Sequence, residues 1–178
     1  EATGSGPVRR NGARPGDWIM TTGSFGGSLA GKHFTFQPRV EEAMELHRRR
    51  VLHSLIDVSD GLAADLHHIL DESGVAGRVY EEKIPVSEAA RANCDARTPL
   101  EHALGDGEDF ELLFTVSPEE GRKLAGTDII DTPVTHIGEI IEGAGCRLVS
   151  EDGSETELPR MGWEHGFADG DNDPASTS

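Results

Sequence analysis

Residues 57–60 read Asp-Val-Ser-Asp, which places two carboxylates and one hydroxyl within four positions. Oxygen ligands of this kind suit a hard cation such as Mg²⁺, and a helix that follows would turn its positive N-terminal end toward phosphate oxygens. The same residues also allow a structural role, in which Ser59 or Asp60 caps the helix and Asp57 is a solvated strand end. The spacing therefore indicates either a magnesium–phosphate corner or a helix cap, and leaves both open.

A second group of carboxylates precedes a strongly apolar stretch at residues 110–116. Residues 105–109 read Gly-Asp-Gly-Glu-Asp, which is typical of a turn, and the apolar stretch predicts a buried strand. Glu111 lies inside that strand among apolar neighbours, where a carboxylate is costly to bury without a partner. It therefore either faces solvent or contacts a cation or a polar ligand.

The elements around these groups follow from hydrophobic spacing. Residues 55–58 predict a short apolar strand that runs directly into a helix. The apolar face of that helix is formed by Leu62, Leu66, Ile69 and Leu70. An earlier helix is predicted over residues 40–53. Its predicted apolar face consists of Val40, Ala43, Met44, His47 and Val51.

The remaining elements indicate the fold class. Further strands are predicted at residues 17–22, 77–84, 135–141 and 146–150, and further helices at residues 87–93 and 118–125. A short glycine turn at residues 143–145 separates the last two strands. Since helices and strands are interleaved but short turns join the strands near the end, the sequence predicts a layered α+β domain rather than a doubly wound parallel sheet. The glycine-rich residues 23–31 lack the ending of a P-loop and are predicted to form a flexible loop.

Composition limits the classes of partner. The chain has 178 residues and a net charge of −17, which argues against nucleic acid or an anionic membrane surface as a partner. No apolar run reaches membrane-spanning length. Cys94 and Cys146 are too few for a disulfide framework, and we interpret them as free thiols in a reducing compartment, the cytoplasm.

The chain organisation is predicted as a single domain with two extensions. Because the first residue is Glu1 rather than Met, we interpret the chain as a fragment of a longer protein. Residues 1–16 are predicted to be an exposed lead-in, residues 17–167 the domain, and residues 168–178 a disordered tail.

Two long motifs resemble a known enzyme family. Residues 56–66 read Ile-Asp-Val-Ser-Asp-Gly-Leu-Ala-Ala-Asp-Leu, and residues 103–116 contain Gly-Glu-Asp-Phe-Glu-Leu-Leu-Phe. In this order and at this separation they resemble the C-terminal domain of thiamine-monophosphate kinases, within the superfamily of aminoimidazole ribonucleotide (AIR) synthase. The resemblance implies a three-layer α+β fold in which helices flank a mixed sheet. It also implies an ATP- and Mg²⁺-dependent kinase that converts thiamine monophosphate to thiamine diphosphate.

The resemblance also assigns roles to individual residues. The residues implied to hold magnesium are Asp57 and Asp60, and those implied to bind ATP are Ser59 and Arg10. The residues implied to line the thiamine monophosphate site are Glu108, Asp109 and Trp163. In the family, an N-terminal domain supplies most of the metal ligands and the dimer interface, so a homodimer is implied only for the whole protein.

The chain departs from the family pattern in three ways. The N-terminal domain is absent, Asp106 stands where the family has glycine, and Gly166 is inserted near the end. We therefore expect the isolated chain to be inactive although its parent is a kinase. The alternatives are another enzyme of the superfamily (AIR synthase, selenophosphate synthetase or the hydrogenase maturation factor) and a non-catalytic module that binds a nucleotide or a partner.

Overall fold

A computed structural model of the chain describes residues 6–28, 37–49, 51–124 and 130–162. The strands are β1 Trp18–Thr22, β2 Leu52–Asp57, β3 Ala76–Tyr80, β4 Leu112–Val116, β5 Val134–Ile141, β6 Cys146–Val149 and β7 Glu155–Glu157. The helices are α1 Val40–Arg49, α2 Leu62–Ser73, α3 Glu88–Ala92, α4 Pro99–Gly105 and α5 Pro118–Leu124, with a 3₁₀ turn at Glu81–Lys83.

The strands form one sheet in the order β2-β4-β1-β5-β3-β6-β7. The pairing of β3 with β6 is parallel, and the other strand pairs are antiparallel. Strand β1 lies between β4 and β5, so its backbone groups are satisfied on both sides. The predicted mixed sheet is confirmed.

Helices cover both faces of this sheet, which makes three layers. On one face α2 and α4 bury a large cluster with Ile19 and Leu113 at its sheet side. On the other face α1 and α5 contribute Leu46 and Leu124, which pack against Phe114. Successive side chains of β4 alternate between the two clusters because a strand has a period of two. The predicted three-layer α+β fold is therefore confirmed, as is the buried face of α2.

The predicted apolar face of α1 is wrong for its large residues, although Ala43 does pack against the core cluster. The helix ends at Arg49 rather than His53. Val40, Met44 and Val51 are 59%, 50% and 65% exposed, whereas Leu46 is buried. The sheet selects the side of the helix that carries Leu46 and Ala43, although more of the apolar residues of this segment lie elsewhere.

Two connections also differ from expectation. The short turn at residues 143–145 does not form a hairpin, because β3 lies between β5 and β6 and pairs with both. Helix α4 was missed, although its sequence carries the signal. Thr98 and Glu101 form a capping box there, and Pro99 opens the helix.

Most of the described lead-in, residues 6–16, is exposed, but two of its residues pack against the domain. Ala13 is buried in the cluster beneath α2, and Val8 packs against the cluster beneath α1. The lead-in is therefore attached to the domain at these two points. The predicted tail, residues 168–178, lies outside the described residues. Within the described part, no helix is long and apolar enough to cross a bilayer.

The two cysteines should react very differently with a thiol reagent. Cys94 is exposed and Cys146 is buried, and both are free. Burial raises the pKa of the Cys146 thiol to about 12, so almost no thiolate forms at neutral pH. We expect the native chain to take up one alkylating group, at Cys94, and the urea-unfolded chain to take up two. Mass spectrometry after brief labelling measures this, and native labelling of Cys146 would contradict it.

Candidate functional site

The Asp-Val-Ser-Asp corner connects the end of β2 to the start of α2. Asp57 is the last residue of β2, and its side chain is exposed. Val58 is buried and anchors the corner in the core. Ser59 and Asp60 are half-buried, and the chain then turns through Gly61, whose φ of 119° favours glycine. The corner that carries the oxygen-bearing side chains of Asp57, Ser59 and Asp60 is therefore anchored in the core by Val58.

The predicted cap of α2 is wrong. The N-cap residue is Gly61, which has no side chain to accept a hydrogen bond, and the helix begins at Leu62. Instead, Asp65 reaches back from the first turn, and its Oδ2 accepts hydrogen bonds from the backbone N–H groups of Ser59 and Asp60, both at 3.0 Å. Asp65 is only 1% exposed. Burial raises the pKa of its carboxyl to about 6, against the opposing effect of these hydrogen bonds.

The carboxylate-rich turn before β4 is hydrogen-bonded directly to this corner. The Glu108 N–H donates to the Ser59 carbonyl at 2.8 Å, and the Phe110 N–H donates to the Val58 carbonyl at 2.9 Å. The Val58 N–H donates in turn to the Glu111 carbonyl at 2.8 Å. Main-chain hydrogen bonds thus bring the two motifs together, and place Glu108 beside Ser59.

The backbone of this turn is strained. Glu108 has φ 63° and Phe110 has φ 51°, both in the left-handed region that most side chains avoid. A non-glycine residue held there costs about 1–3 kcal/mol and persists only when its surroundings fix it. Such strain clusters at functional sites, and here it leaves the Glu108 side chain exposed next to the corner.

Asp109 faces the opposite way from Glu108. Its two carboxylate oxygens accept hydrogen bonds from the N–H groups of Gly26 (2.7 Å) and Gly27 (3.2 Å), and the residue is 1% exposed. A carboxylate of the same chain thus holds the described part of the glycine-rich loop.

Glu111 contacts a cation, which resolves the alternatives left by the sequence. Arg39 donates to it through two nitrogens, at 2.9 and 3.0 Å, and the Thr22 hydroxyl donates at 2.8 Å. The Thr22 oxygen also accepts from the Leu112 N–H. Sequence reasoning did not identify Arg39, although a buried carboxylate in an apolar strand signals that a cation must lie nearby.

Arg10 and Trp163 are not brought to the corner in the described structure. The Arg10 guanidinium pairs with Glu72 at 2.6 Å, near the C-terminal end of α2, whereas Asp60 precedes the N-terminal end. Trp163 lies outside the described residues. The assignment of Arg10 to ATP and of Trp163 to the substrate side stays a prediction.

The corner has the donors that a hard cation requires. Asp57 is exposed and Asp60 is half-buried, and carboxylate oxygens of this kind fit Mg²⁺. Among the described residues, Asp60, Asp65 and His68 have potential ligand atoms within 4.8 Å of one another, and this group does not include Asp57. The arrangement can hold a cation and, through it, phosphate oxygens.

Comparison with known proteins places this site in a family. The family described as "AIR synthase related protein, C-terminal domain" matches residues 14–151. The chain belongs to this family.

Several relatives carry the same activity in their names. A thiamine-monophosphate kinase from Rhodopirellula baltica is 41% identical over 175 residues, which cover 97% of this chain and 54% of that protein. A thiamine-monophosphate kinase structure from Stenotrophomonas maltophilia has a TM-score of 0.68 at 30% identity, covering 84% of this chain and 54% of the other. AaThiL complexed with AMPPCP and TMP has a TM-score of 0.66 at 31% identity, covering 89% and 54%. The chain therefore spans about half the length of the curated relatives it matches.

Asp106, which stands where the resemblance to thiamine-monophosphate kinases leads us to expect glycine, does not need to be glycine. Its φ is −73°, an ordinary extended value. The Asp106 carboxylate accepts from Arg97 Nη1 at 2.8 Å and lies 2.9 Å from His102 Nδ1. His102 Nε2 in turn lies 3.0 Å from Asp95 and 3.1 Å from the Asn93 amide. Charge pairing compensates for the carboxylate at this turn.

The His102 cluster should make stability depend on pH. Burial lowers the pKa of His102, but hydrogen bonds to Asp106 and Asp95 outweigh burial, and the net shift is upward. The folded chain therefore binds this proton more tightly than the unfolded chain. The stabilisation is complete below the unfolded pKa of about 6.5 and is lost as pH rises through the higher folded pKa.

We expect the free energy of unfolding of the wild type, measured in urea, to fall as pH rises from about 6.5 through the higher pKa that His102 has in the folded chain. A His102→Asn variant should lack this component of the fall, whatever its absolute stability. Equal pH slopes in the two proteins would contradict the charged cluster.

Gly107 permits the close contact between the turn and the corner. A Cβ atom added there would lie 2.7 Å from the Ser59 carbonyl oxygen, so the backbone would have to move. We expect Gly107→Ala to lower the free energy of unfolding by about 1–3 kcal/mol. Gly105→Ala is the matched control, because its Cβ would meet only Met161 at 3.5 Å. Urea denaturation should show the control unchanged or stabilised by up to about 1 kcal/mol; similar losses in both variants would count against the contact.

Proposed function

We propose that this chain is the C-terminal domain of an ATP- and Mg²⁺-dependent kinase that phosphorylates thiamine monophosphate to thiamine diphosphate. The observation that carries the proposal is the hydrogen bond between the Glu108 N–H and the Ser59 carbonyl. With the bonds from the Phe110 N–H to the Val58 carbonyl and from the Val58 N–H to the Glu111 carbonyl, it forms what we call the ladder. It joins the proposed nucleotide side and the proposed acceptor side into one surface. The names of the relatives support the kinase over other enzymes of the superfamily.

The proposal includes a second half of the protein. The chain covers 53–55% of the lengths of several curated thiamine-monophosphate kinases. The N-terminal domain implied by the resemblance would supply further metal ligands and any dimer interface. Because phosphoryl transfer depends on positioning and on neutralised phosphate charge, one half of the site is expected to bind weakly and to turn over nothing.

The nucleotide side would be formed by the corner. Asp57 and Asp60 would hold Mg²⁺, which neutralises phosphate charge when bound. The Ser59 hydroxyl would contact the nucleotide. Arg10 is about half exposed and ion-paired, so it would have to exchange Glu72 for a phosphate in order to reach ATP.

The acceptor side would be formed by the turn before β4. Glu108 is exposed and rigidly held, which suits a side chain that orients the substrate. Trp163 would cover the same substrate, as the resemblance implies. Asp109, which bonds to Gly26 and Gly27, would shape this side through the glycine-rich loop. Because the acceptor is itself a phosphate, the reaction needs no strong general base, and electrostatic stabilisation would carry the rate.

Calorimetry of the 178-residue chain with Mg²⁺ and ATP tests the nucleotide side. We expect weak binding that requires Mg²⁺ and is lost in an Asp57→Ala, Asp60→Ala double variant. A Glu151→Ala, Asp152→Ala variant removes two exposed carboxylates from the turn after β6 and should bind like the wild type. If neither the wild type nor the control binds, the corner is not a nucleotide half-site.

A second measurement separates the kinase from the alternatives. Purified chain incubated with Mg²⁺, ATP and thiamine monophosphate should form no thiamine diphosphate. Metal-dependent phosphorylation by this chain would overturn the need for another domain. Nucleotide binding that survives the double variant would favour a non-catalytic binding module instead.

A further inference from the structure

We propose that Asp65 is a positioning residue of this site, which fixes the backbone of Ser59 and Asp60 so that their side chains face ligand in one orientation. The inference rests on the proposed function, since it concerns the same corner. One oxygen of Asp65, Oδ2, accepts both backbone N–H groups at 3.0 Å. Two N–H groups that converge on one buried atom define the direction of the peptide planes between β2 and α2.

The other constraints on the corner that the structure describes do not engage the N–H groups of Ser59 and Asp60. Gly61 has no side chain with which to cap α2, and its φ of 119° belongs to the most flexible residue type. The ladder to the turn engages the carbonyl of Ser59 but not its N–H. Asp65 therefore restrains the side of the corner that the ladder does not reach.

The clamp also decides how the corner can bind an anion. Backbone N–H groups at the start of a helix commonly bind phosphate directly. The N–H groups of Ser59 and Asp60 precede α2, which begins at Leu62, and both are already bonded to the Asp65 carboxylate. These two N–H groups are therefore not available for a phosphate, and at this part of the corner phosphate oxygens would be held through side chains and a cation.

The position of Asp65 explains why the sequence did not reveal it. Asp65 lies one turn into α2, where the spacing of apolar residues assigns it to the helix surface. In the structure it is fully buried beside Leu66 on the core side of the corner. Asp65 hydrogen-bonds to the main chain of the corner, and we do not assign it contact with substrate.

Amide hydrogen exchange measured by NMR on the 178-residue chain tests the clamp directly. We expect Asp65→Ala to speed exchange at Ser59 and Asp60 by about 10- to 100-fold, as for loss of a hydrogen bond to a charged group. Asp65→Asn keeps an acceptor oxygen of the same reach and should restore most of the protection. Asp71→Ala, an exposed carboxylate near the other end of α2, should leave both amides unchanged.

Calorimetry with Mg²⁺ and ATP on the same variants distinguishes positioning from direct charge. Positioning predicts that Asp65→Ala weakens binding and Asp65→Asn restores it. If Asp65→Asn retains amide protection but binds as poorly as Asp65→Ala, the role is electrostatic and the proposal is overturned.

The remaining outcomes are also decisive. If Asp65→Ala leaves amide exchange at Ser59 and Asp60 unchanged, the clamp is overturned. Loss of protection at these amides in Asp65→Asn also overturns it. The asparagine variant can be compared with the wild type even if the alanine variant fails to fold. If exchange behaves as expected but the wild type binds no nucleotide, the clamp stands and the proposed function fails.

Discussion

Replacing Arg39 with methionine is expected to lower the free energy of unfolding by about 3–5 kcal/mol, because the change leaves a buried carboxylate without its cation. Glu111 is 2% exposed at its side chain and accepts two hydrogen bonds from Arg39. Hydrogen bonding to Glu111, opposed by burial, raises the pKa of Arg39, so the guanidinium stays charged. Methionine keeps much of the side-chain volume, and the loss therefore reports the charge. Urea denaturation at neutral pH measures the effect.

Two further variants make this result specific. Arg48→Met removes an exposed arginine of α1 that also pairs with a glutamate, Glu45, and should change stability by less than about 1 kcal/mol. An Arg39→Met, Glu111→Leu double variant removes both charges and should recover a large part of the loss. A loss at Arg39 no larger than the loss at Arg48 would show that solvent or another group compensates Glu111.

Replacing Asp109 with alanine is expected to cost about 2–4 kcal/mol, because it removes one buried charged acceptor from two backbone N–H groups. The donors are Gly26 and Gly27, and Phe25 beside them is fully buried in the core. Losing the acceptor should therefore loosen the described part of the glycine-rich loop as well as the turn that carries Glu108. Urea denaturation gives the stability, and limited proteolysis gives the loop response.

The neighbouring carboxylate provides the control. Glu108→Ala removes an exposed side chain, and alanine is no better suited than glutamate to φ 63°, so stability should change by less than about 1 kcal/mol. We therefore expect the Asp109 side chain to contribute to stability and the Glu108 side chain to contribute to substrate contact. If Asp109→Ala is as stable as Glu108→Ala, the bonds to the loop contribute little and direct substrate binding by Asp109 gains support.

Local patterns predicted the parts of the fold that depend on local sequence. The apolar run of β4 and the apolar face of α2 were both identified, since burial imposes a period that few other constraints disturb. The phase of α1 was wrong because Val40, Met44 and Val51 outnumber Leu46 as large apolar residues, and only the sheet beneath the helix selects Leu46. The order of β5, β3 and β6 was also beyond local information, because a parallel pair is formed by segments distant in sequence.

The candidate site divides in the same way. The motifs supplied Asp57, Ser59, Asp60 and Glu108 as residues of interest, and main-chain hydrogen bonds bring Glu108 beside Ser59. The supporting contacts were not foreseen. Arg39 is 72 residues from its partner Glu111 in the sequence, and Asp65 is local but was hidden by the stronger expectation that Ser59 or Asp60 would cap the helix. The motifs therefore indicated the chemistry, whereas the supporting contacts could be identified only in the folded structure.

The hydrogen-bonded ladder between Val58 and the turn before β4 has a consequence for how the protein folds. Helix α2 can form from neighbouring residues, but the ladder closes only after α2, β3, α3 and α4 have all been looped out between its two sides. Closing long loops is entropically unfavourable and slow compared with helix formation. We expect α2 to gain protection early during refolding and the corner to gain it late, together with the pairing of β2 and β4. A partly folded chain, in which α2 has formed but the ladder has not, would contain the residues of the site without bringing them together.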